Sequence, residues 1–159
     1  MPLQEIASMS MTGMQAILSE LDAELERTYL HAKMICDMHW ENMLEEADDR
    51  TPRFITRVRP YKGSLQCIWM RAGSRPPSKK GGQIKATHVP KGTGRNNPNY
   101  KSSAFNKAEP WERELIDETE ANYALLRERY MKLSNVRNEI HKTNALAHKA
   151  FGRVGILWK

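Results

Sequence analysis

The hydrophobic positions of the N-terminal part of the chain recur every three or four residues. From Met14 to about Ala47 this spacing predicts one long amphipathic helix, residues 14–47. Thr12 can cap its start. The segment closes at Thr51-Pro52, because a residue before proline is pushed out of the helical region. At about 1.5 Å per residue, such a helix is longer than a small globular core needs.

The C-terminal part shows a helical spacing of the same kind. Pro110 suits a first helical turn, and the pattern predicts a helix over 110–151 with Gly152 as its stop. Two sets of positions in it recur every seven residues, as in a coiled-coil seam with two polar positions. The two helices predict an antiparallel helical hairpin or coiled coil, or the core of a homodimeric bundle. The heptad positions are Leu126, Leu133, Ile140 and Ala147, and Tyr123, Tyr130, Arg137 and Asn144.

Between the helices the hydrophobic period changes to two. The stretches RFITRVR and SLQCIWMR alternate, and the four-residue link PYKG has Pro early and Gly last, so together they predict a β-hairpin. QIKATHV, residues 83–89, is a weaker candidate for a third strand, which gives a small antiparallel β element over 53–89. Residues 90–108 hold too few apolar side chains to pack and predict a long, mobile basic loop. The expected fold is α+β, mainly α, in a single domain over 1–159.

Charge is distributed unevenly along the chain, which has a formal net charge of +6 and a pI near 9.4. From Arg50 to Ala108 there are fourteen Lys and Arg and no Asp or Glu, so this region stands at +14 and the flanks at −8. Glu-rich helices beside Glu-poor loops would produce part of this contrast. A polyanionic partner explains it better, because carboxylates repel phosphates and basic side chains release condensed counterions.

The aromatic side chains in this basic region favour nucleic acid as the partner, because rings and cations together suit groove binding or base stacking. Tyr61 and Tyr100 are expected to make such contacts. Trp69 is expected to be the core residue of the hairpin instead. His88 suits a phosphate contact or a strand edge equally. We expect nucleic-acid contacts from Arg57, Arg59, Tyr61, Lys62, Arg71, Arg75, Lys79, Lys80, Lys85, His88, Lys91, Arg95, Tyr100 and Lys101.

Catalytic and metal-binding signals are weak in this sequence. Cys36 and His39 share one face of the first helix, but a structural zinc site wants four ligands, and core packing accounts better for Cys36. KKGG and KGTGR lack the spacing of a phosphate-binding P-loop. The basic region lacks the carboxylates of a two-metal nuclease. We therefore expect no enzyme activity, no cofactor and no metal.

The two cysteines, in a chain without a secretory signal or a long apolar run, predict reduced thiols in a soluble cytoplasmic protein that does not enter a membrane. A dimer is expected from the helices, and it would double the basic surface.

The stretch RVRPYKGSLQCIWMR, followed by the basic loop and flanked by long helices, resembles the MobI-type mobilisation proteins of conjugative plasmids and integrative conjugative elements. The resemblance lies in the layout of most of the chain. It implies an auxiliary factor of conjugation that binds double-stranded DNA at the origin of transfer and helps the relaxase to begin DNA processing. It brings no catalytic residues. The residues themselves leave open a coiled-coil adaptor for a protein partner, with a basic loop, and an RNA-binding protein.

Overall fold

Two long helices and a three-stranded antiparallel sheet make up the computed structural model, which describes residues 1–73, 86–94 and 96–156. The fold is α+β and mainly α, as predicted. In chain order the elements are α1 (Leu3–Ala47), β1 (Phe54–Tyr61), β2 (Ser64–Arg71), β3 (Thr87–His88), a short 3-10 helix (Ser102–Phe105) and α2 (Pro110–Arg153).

Both helices extend beyond their predicted bounds. α1 begins at Leu3, and Thr12 lies within it and donates its hydroxyl proton to the Ser8 carbonyl (3.1 Å) instead of capping the start. The added segment is rich in good helix formers, and the single Gly13 costs only about 1 kcal/mol. α2 continues through Gly152 to Arg153, and the glycine that adopts a positive φ (+80°) is Gly155.

The hairpin turn is shorter than the predicted four-residue link. Tyr61 pairs with Ser64, so the turn consists of Lys62 and Gly63, with φ of 47° and 75°. Two positive φ values characterise the type I′ turn, whose twist matches that of the flanking strands. Pro60 therefore lies inside β1, where it is tolerated because β1 is an edge strand.

The third strand is confirmed only at its end. β3 is limited to Thr87 and His88, which pair with Arg71 and Met70 of β2. Residues 83–85 of the candidate strand lie outside the described residues.

The core lies between the two helices and one face of the sheet. Trp69 of β2 is fully buried, as expected for the hairpin's core residue, and Tyr123 of α2 packs beside it. Contacts between the helices occur in reverse sequence order, with His39 against Thr119 and Asp22 against Arg137. The other heptad positions of α2 are buried or half-buried.

The second half of the predicted loop packs onto this core. Phe105 is buried with its ring edge against Trp69 (5.3 Å between centroids) and Phe54 (5.4 Å), and Tyr100 is buried beside it. The expectation that residues 90–108 hold too few apolar side chains to pack is therefore wrong for this half. Two aromatic rings suffice because each one buries a large area.

Candidate nucleic-acid interface

The outer face of the sheet, on the side away from the helices, gathers several of the predicted contact residues. Side chains alternate along a strand, so Arg57, Arg59 and Tyr61 point away from the face that carries Phe54 and Thr56. All three are exposed. Cross-strand partners share a face, and His88 pairs with Met70, which pairs with Ile55. The sheet thus brings Arg57, Arg59, Tyr61 and His88 onto one surface.

Tyr61 forms the centre of a small cationic cluster at the tip of the hairpin. The Arg59 guanidinium carbon lies 5.3 Å from the centroid of its ring and the Lys62 ammonium nitrogen 5.2 Å. Arg59 also donates from Nε to Oε1 of Gln66 (2.9 Å), which holds its side chain along the sheet. The tip therefore offers an aromatic ring and two positive charges together, the combination that binds phosphates and stacks on bases.

The positive charges of this surface are not neutralised within the described part of the chain. Arg57, Arg59 and Lys62 form no salt bridge with any described residue. Other cations of the acid-free region serve the fold. Arg53 pairs with Glu109, and Arg50 donates to the last carbonyls of α1 and lies over the Trp111 ring.

Tyr100 is not part of this surface, which corrects the sequence-based expectation. Its side chain is only 7% exposed, against the Phe105 ring (6.0 Å between centroids) and under the Arg127 guanidinium (5.0 Å). Its backbone N–H donates to Glu120 (2.9 Å). Burial raises the pKa of the Tyr100 hydroxyl. The ring is held inside the molecule and is unavailable for stacking on a base.

The remaining predicted contact residues are dispersed. Arg71 and Lys101 are exposed, and Lys91 is half-buried. Five others lie outside the described residues: Arg75, Lys79, Lys80, Lys85 and Arg95.

A charge pair that was not predicted from the sequence, Arg127 with Glu120, contacts β2 on the core side of the sheet. Arg127 donates to both oxygens of Glu120 (2.8 and 3.0 Å) and to the carbonyls of Pro98 (2.6 Å) and Cys67 (2.7 Å). Trp69 donates from Nε1 to the same carboxylate (2.8 Å). One ion pair thus joins β2, the loop and α2. Its signal in the sequence was the seven-residue spacing of opposite charges on α2, the spacing of the heptad seam.

The two cysteine thiols lie buried in or near the core. Burial raises the pKa of the Cys67 thiol to about 12 and also raises that of Cys36, so both thiols stay protonated. Cys36 belongs to the core, as predicted. Within residues 1–73, 86–94 and 96–156, no group of three His, Cys, Asp or Glu is placed to hold a metal ion. No helix of the described segments is long and apolar enough to cross a membrane.

Comparison with known proteins identifies the family. No curated protein and no solved structure matches the chain. The family described as MobI protein matches residues 28–141, a span that runs from the middle of α1 through the sheet into α2 and covers more than two thirds of the chain. This match confirms the resemblance seen in the sequence, and the chain belongs to the MobI protein family.

Proposed function

We propose that this MobI protein is an auxiliary factor of conjugative transfer, which binds double-stranded DNA at the origin of transfer through the outer face of its sheet and helps the relaxase to initiate. The observation that carries the proposal is the exposed cluster of Arg57, Arg59, Tyr61 and Lys62, none of which has a carboxylate partner among the described residues. Family membership supports the setting in mobilisation. Action at the origin of transfer implies a cytoplasmic location.

The shape of the element suits duplex DNA. A two-stranded antiparallel ribbon fits the major groove of B-DNA, which is about 12 Å wide. Arg57 and Arg59 alternate on one face of such a ribbon at its exposed edge. Each guanidinium can donate two parallel hydrogen bonds to a phosphate or to the O6 and N7 atoms of guanine.

We propose a binding role without catalysis. The groups on the proposed surface are cations, an aromatic ring and a histidine, which position and recognise a polyanion. General acid–base or two-metal chemistry would need carboxylates at the same place. The thiols of Cys36 and Cys67 are buried and protonated, so they do not supply a nucleophile to this surface.

The proposal is tested by fluorescence anisotropy on duplex DNA from the transfer region, in wild type and in the double variant Arg57→Ala/Arg59→Ala. Two lost phosphate contacts should weaken binding about tenfold or more and should reduce the slope of log K against log salt by about two. Lys149→Ala removes an exposed cation of α2 and is the matched control. A flat salt response in wild type, or equal losses in both variants, would contradict the proposal.

We also propose that the protein acts as a homodimer, in which two basic surfaces favour a repeated or palindromic site. The support is an apolar stripe on α1. Leu30, Met34 and Met38 recur every four residues and are each about half exposed (54%, 54% and 48%), so they lie on one open face of the helix. Light scattering should give twice the chain mass of 18.3 kDa. A single chain mass at micromolar concentration would remove the dimer from the proposal.

The same stripe favours one other function, a helical adaptor that binds a protein partner and docks its basic surface on acidic groups. Purification with and without nuclease treatment separates the two functions. Nucleic acid that copurifies and is lost after treatment favours the binding protein, and competition between DNA and RNA of equal length then identifies the preferred polymer. Absence of any shift on DNA or RNA favours the adaptor.

A further inference from the structure

A concave pocket of about 560 Å³ lies beside the hairpin turn. Four parts of the chain line it: Leu25 of α1, turn residues 62–65, loop residues around 96–98 with Lys91, and the face of α2 between 127 and 138. The volume falls within the range of roughly 300–1,000 Å³ that is usual for small-molecule sites. The pocket adjoins the interface because Lys62 belongs to both.

The described residues that line this pocket include four cations and no Asp or Glu. Two of the cations are already compensated, since Arg127 is paired with Glu120 and Arg137 donates to both oxygens of Asp22 (2.5 and 3.3 Å). The other two, Lys62 and Lys91, form no salt bridge with a described residue. They give the pocket a net positive charge that a bound anion would neutralise.

Lys91 is the less solvated of these two ammonium groups. It is half-buried, and this burial lowers the pKa of its ammonium group, with a further lowering by the Arg127 charge. The Glu120 carboxylate, which partly raises this pKa again, is already paired with Arg127. A bound phosphate would therefore stabilise the half-buried ammonium group more than it would a fully exposed lysine.

The rest of the wall suits a nucleobase. Asn135 and Asn138 are exposed on α2, and each amide offers both a donor and an acceptor, the pairing that reads the edge of a base. Tyr130 and Met131 line the same pocket with apolar surface against which the face of a base can lie. Ser134 donates to the Gly63 carbonyl (3.1 Å), which fixes the turn against α2 and keeps the pocket in shape.

We propose that this pocket binds one unpaired nucleotide, with its phosphate between Lys62 and Lys91 and its base against Asn135, Asn138 and the Tyr130 side. A free nucleotide and an unpaired nucleotide of a DNA strand present the same chemistry. For a DNA strand, the inference rests on the proposed function and deepens it: the protein holds duplex DNA on the sheet and recognises a base that has left the stack.

The test compares two labelled duplexes that are identical except for one extra, unpaired nucleotide. Wild type should bind the bulged duplex about tenfold more tightly, since stacking and contacts to the unpaired base add interactions that the paired duplex does not make. Asn135→Ala/Asn138→Ala should remove this preference and leave affinity for the paired duplex unchanged. Alanine preserves the helix at both positions. Asn122→Ala, a half-buried asparagine of α2 that does not line the pocket, is the control and should keep the preference.

Calorimetric titration with deoxynucleoside monophosphates tests the free source separately. Binding that Lys91→Gln abolishes supports the pocket and identifies free nucleotides as ligands. If Asn135→Ala/Asn138→Ala loses the preference for the bulged duplex and wild type binds no free nucleotide, the pocket is supported as a site for nucleotides of a DNA strand alone. Equal affinity for both duplexes, together with no nucleotide binding, overturns the inference.

Failure of the proposed function would give a different result. Arg57→Ala/Arg59→Ala should weaken binding to the paired and the bulged duplex by the same factor, so the ratio of the two affinities should not change. If wild type binds no paired duplex, the proposed function fails, and the nucleotide titration of wild type against Lys91→Gln still decides the pocket.

Discussion

At the scale of single residues, His39 is a buried histidine that serves the fold. It is 4% exposed, its Nδ1 lies 2.8 Å from Thr119 Oγ1, and its ring meets Trp69 edge-on (5.1 Å between centroids). Burial lowers its pKa from 6.5 to about 4, and a hydrogen bond with the backbone of Leu115 offsets part of this effect. Near neutral pH the ring is therefore neutral and joins α1 to α2.

This burial predicts a pH dependence of stability. Between pH 6.5 and about 4 the unfolded chain binds a proton at His39 and the folded chain does not. The contribution of His39 to the free energy of unfolding is complete above pH 6.5 and is lost as pH falls to about 4, by about 3 kcal/mol. Urea unfolding across this range measures it. His39→Gln should flatten the profile by that amount, whereas His31→Gln, at an exposed position of the same helix, should not.

Wild type, His39→Gln and His31→Gln contain the same carboxylates. The loss of stability caused by protonation of these carboxylates at low pH therefore cancels when the three unfolding profiles are compared. Parallel profiles for wild type and His39→Gln would show that the histidine is solvated in the folded protein.

At the scale of elements, Glu112 determines how β1 meets α2. The Glu112 Oε1 atom accepts hydrogen bonds from the backbone N–H groups of Arg53 (2.6 Å) and Phe54 (3.1 Å), and Oε2 accepts one from Glu109 (3.0 Å) in a capping box. The side chain is 2% exposed. One carboxylate thus accepts hydrogen bonds from backbone N–H groups at the start of β1 and at the start of α2.

Glu112→Ala should therefore destabilise the protein far more than the loss of a helix cap. Three backbone donors would be left without their partner, at about 1–3 kcal/mol for each one that stays buried. We expect the free energy of unfolding to fall by at least about 3 kcal/mol in a urea titration. Glu114→Ala changes an exposed glutamate in the same turn and should cost less than about 0.5 kcal/mol. Similar losses in both variants would contradict this role.

The elements also show which features of the fold can be predicted from local sequence patterns. The two helices, the β-hairpin and the buried positions Tyr123 and Leu126 were predictable because periodicity is a local signal. The turn at Lys62-Gly63 was misplaced because PYKG satisfies turn chemistry in two registers, and only strand pairing selects one. Tyr100 was misplaced because its burial depends on Arg127 and Glu120, which are distant in sequence and invisible to any local window.

At the scale of the whole molecule, charge is divided between the helices and the middle of the chain. Acids of α1 pair with basic residues of α2, as in Glu24 with Arg129 and Asp22 with Arg137. Such exposed pairs contribute only about 0–1 kcal/mol each. The acid-free middle agrees with the proposed anionic partner, and the division of charge could be read from the sequence alone. The sequence alone did not predict which cations face outward, because this depends on the strand register.

The charge pair of Arg127 and Glu120 holds these parts of the molecule together. The Arg127 side chain is buried (5% exposed) and that of Glu120 is mostly covered (12% exposed), and their hydrogen bonds reach β2, the loop and the backbone of Tyr100. Removal of one partner leaves the other as an uncompensated buried charge, which costs about 3–5 kcal/mol. Glu120→Gln should therefore lower the free energy of unfolding by this amount, whereas Glu118→Gln, at an exposed position of the same helix, should leave it nearly unchanged.

The double substitution Arg127→Met/Glu120→Leu separates the charge from the packing. Apolar residues of similar volume often replace a buried ion pair at little cost, so the double variant should be more stable than Glu120→Gln alone. The backbone groups of Pro98 and Tyr100 would still lose their partners, and limited proteolysis should then cut between residues 90 and 100 faster than in wild type. A double variant as unstable as the single one would show that the hydrogen bonds to the loop, and not the charges, carry the stability.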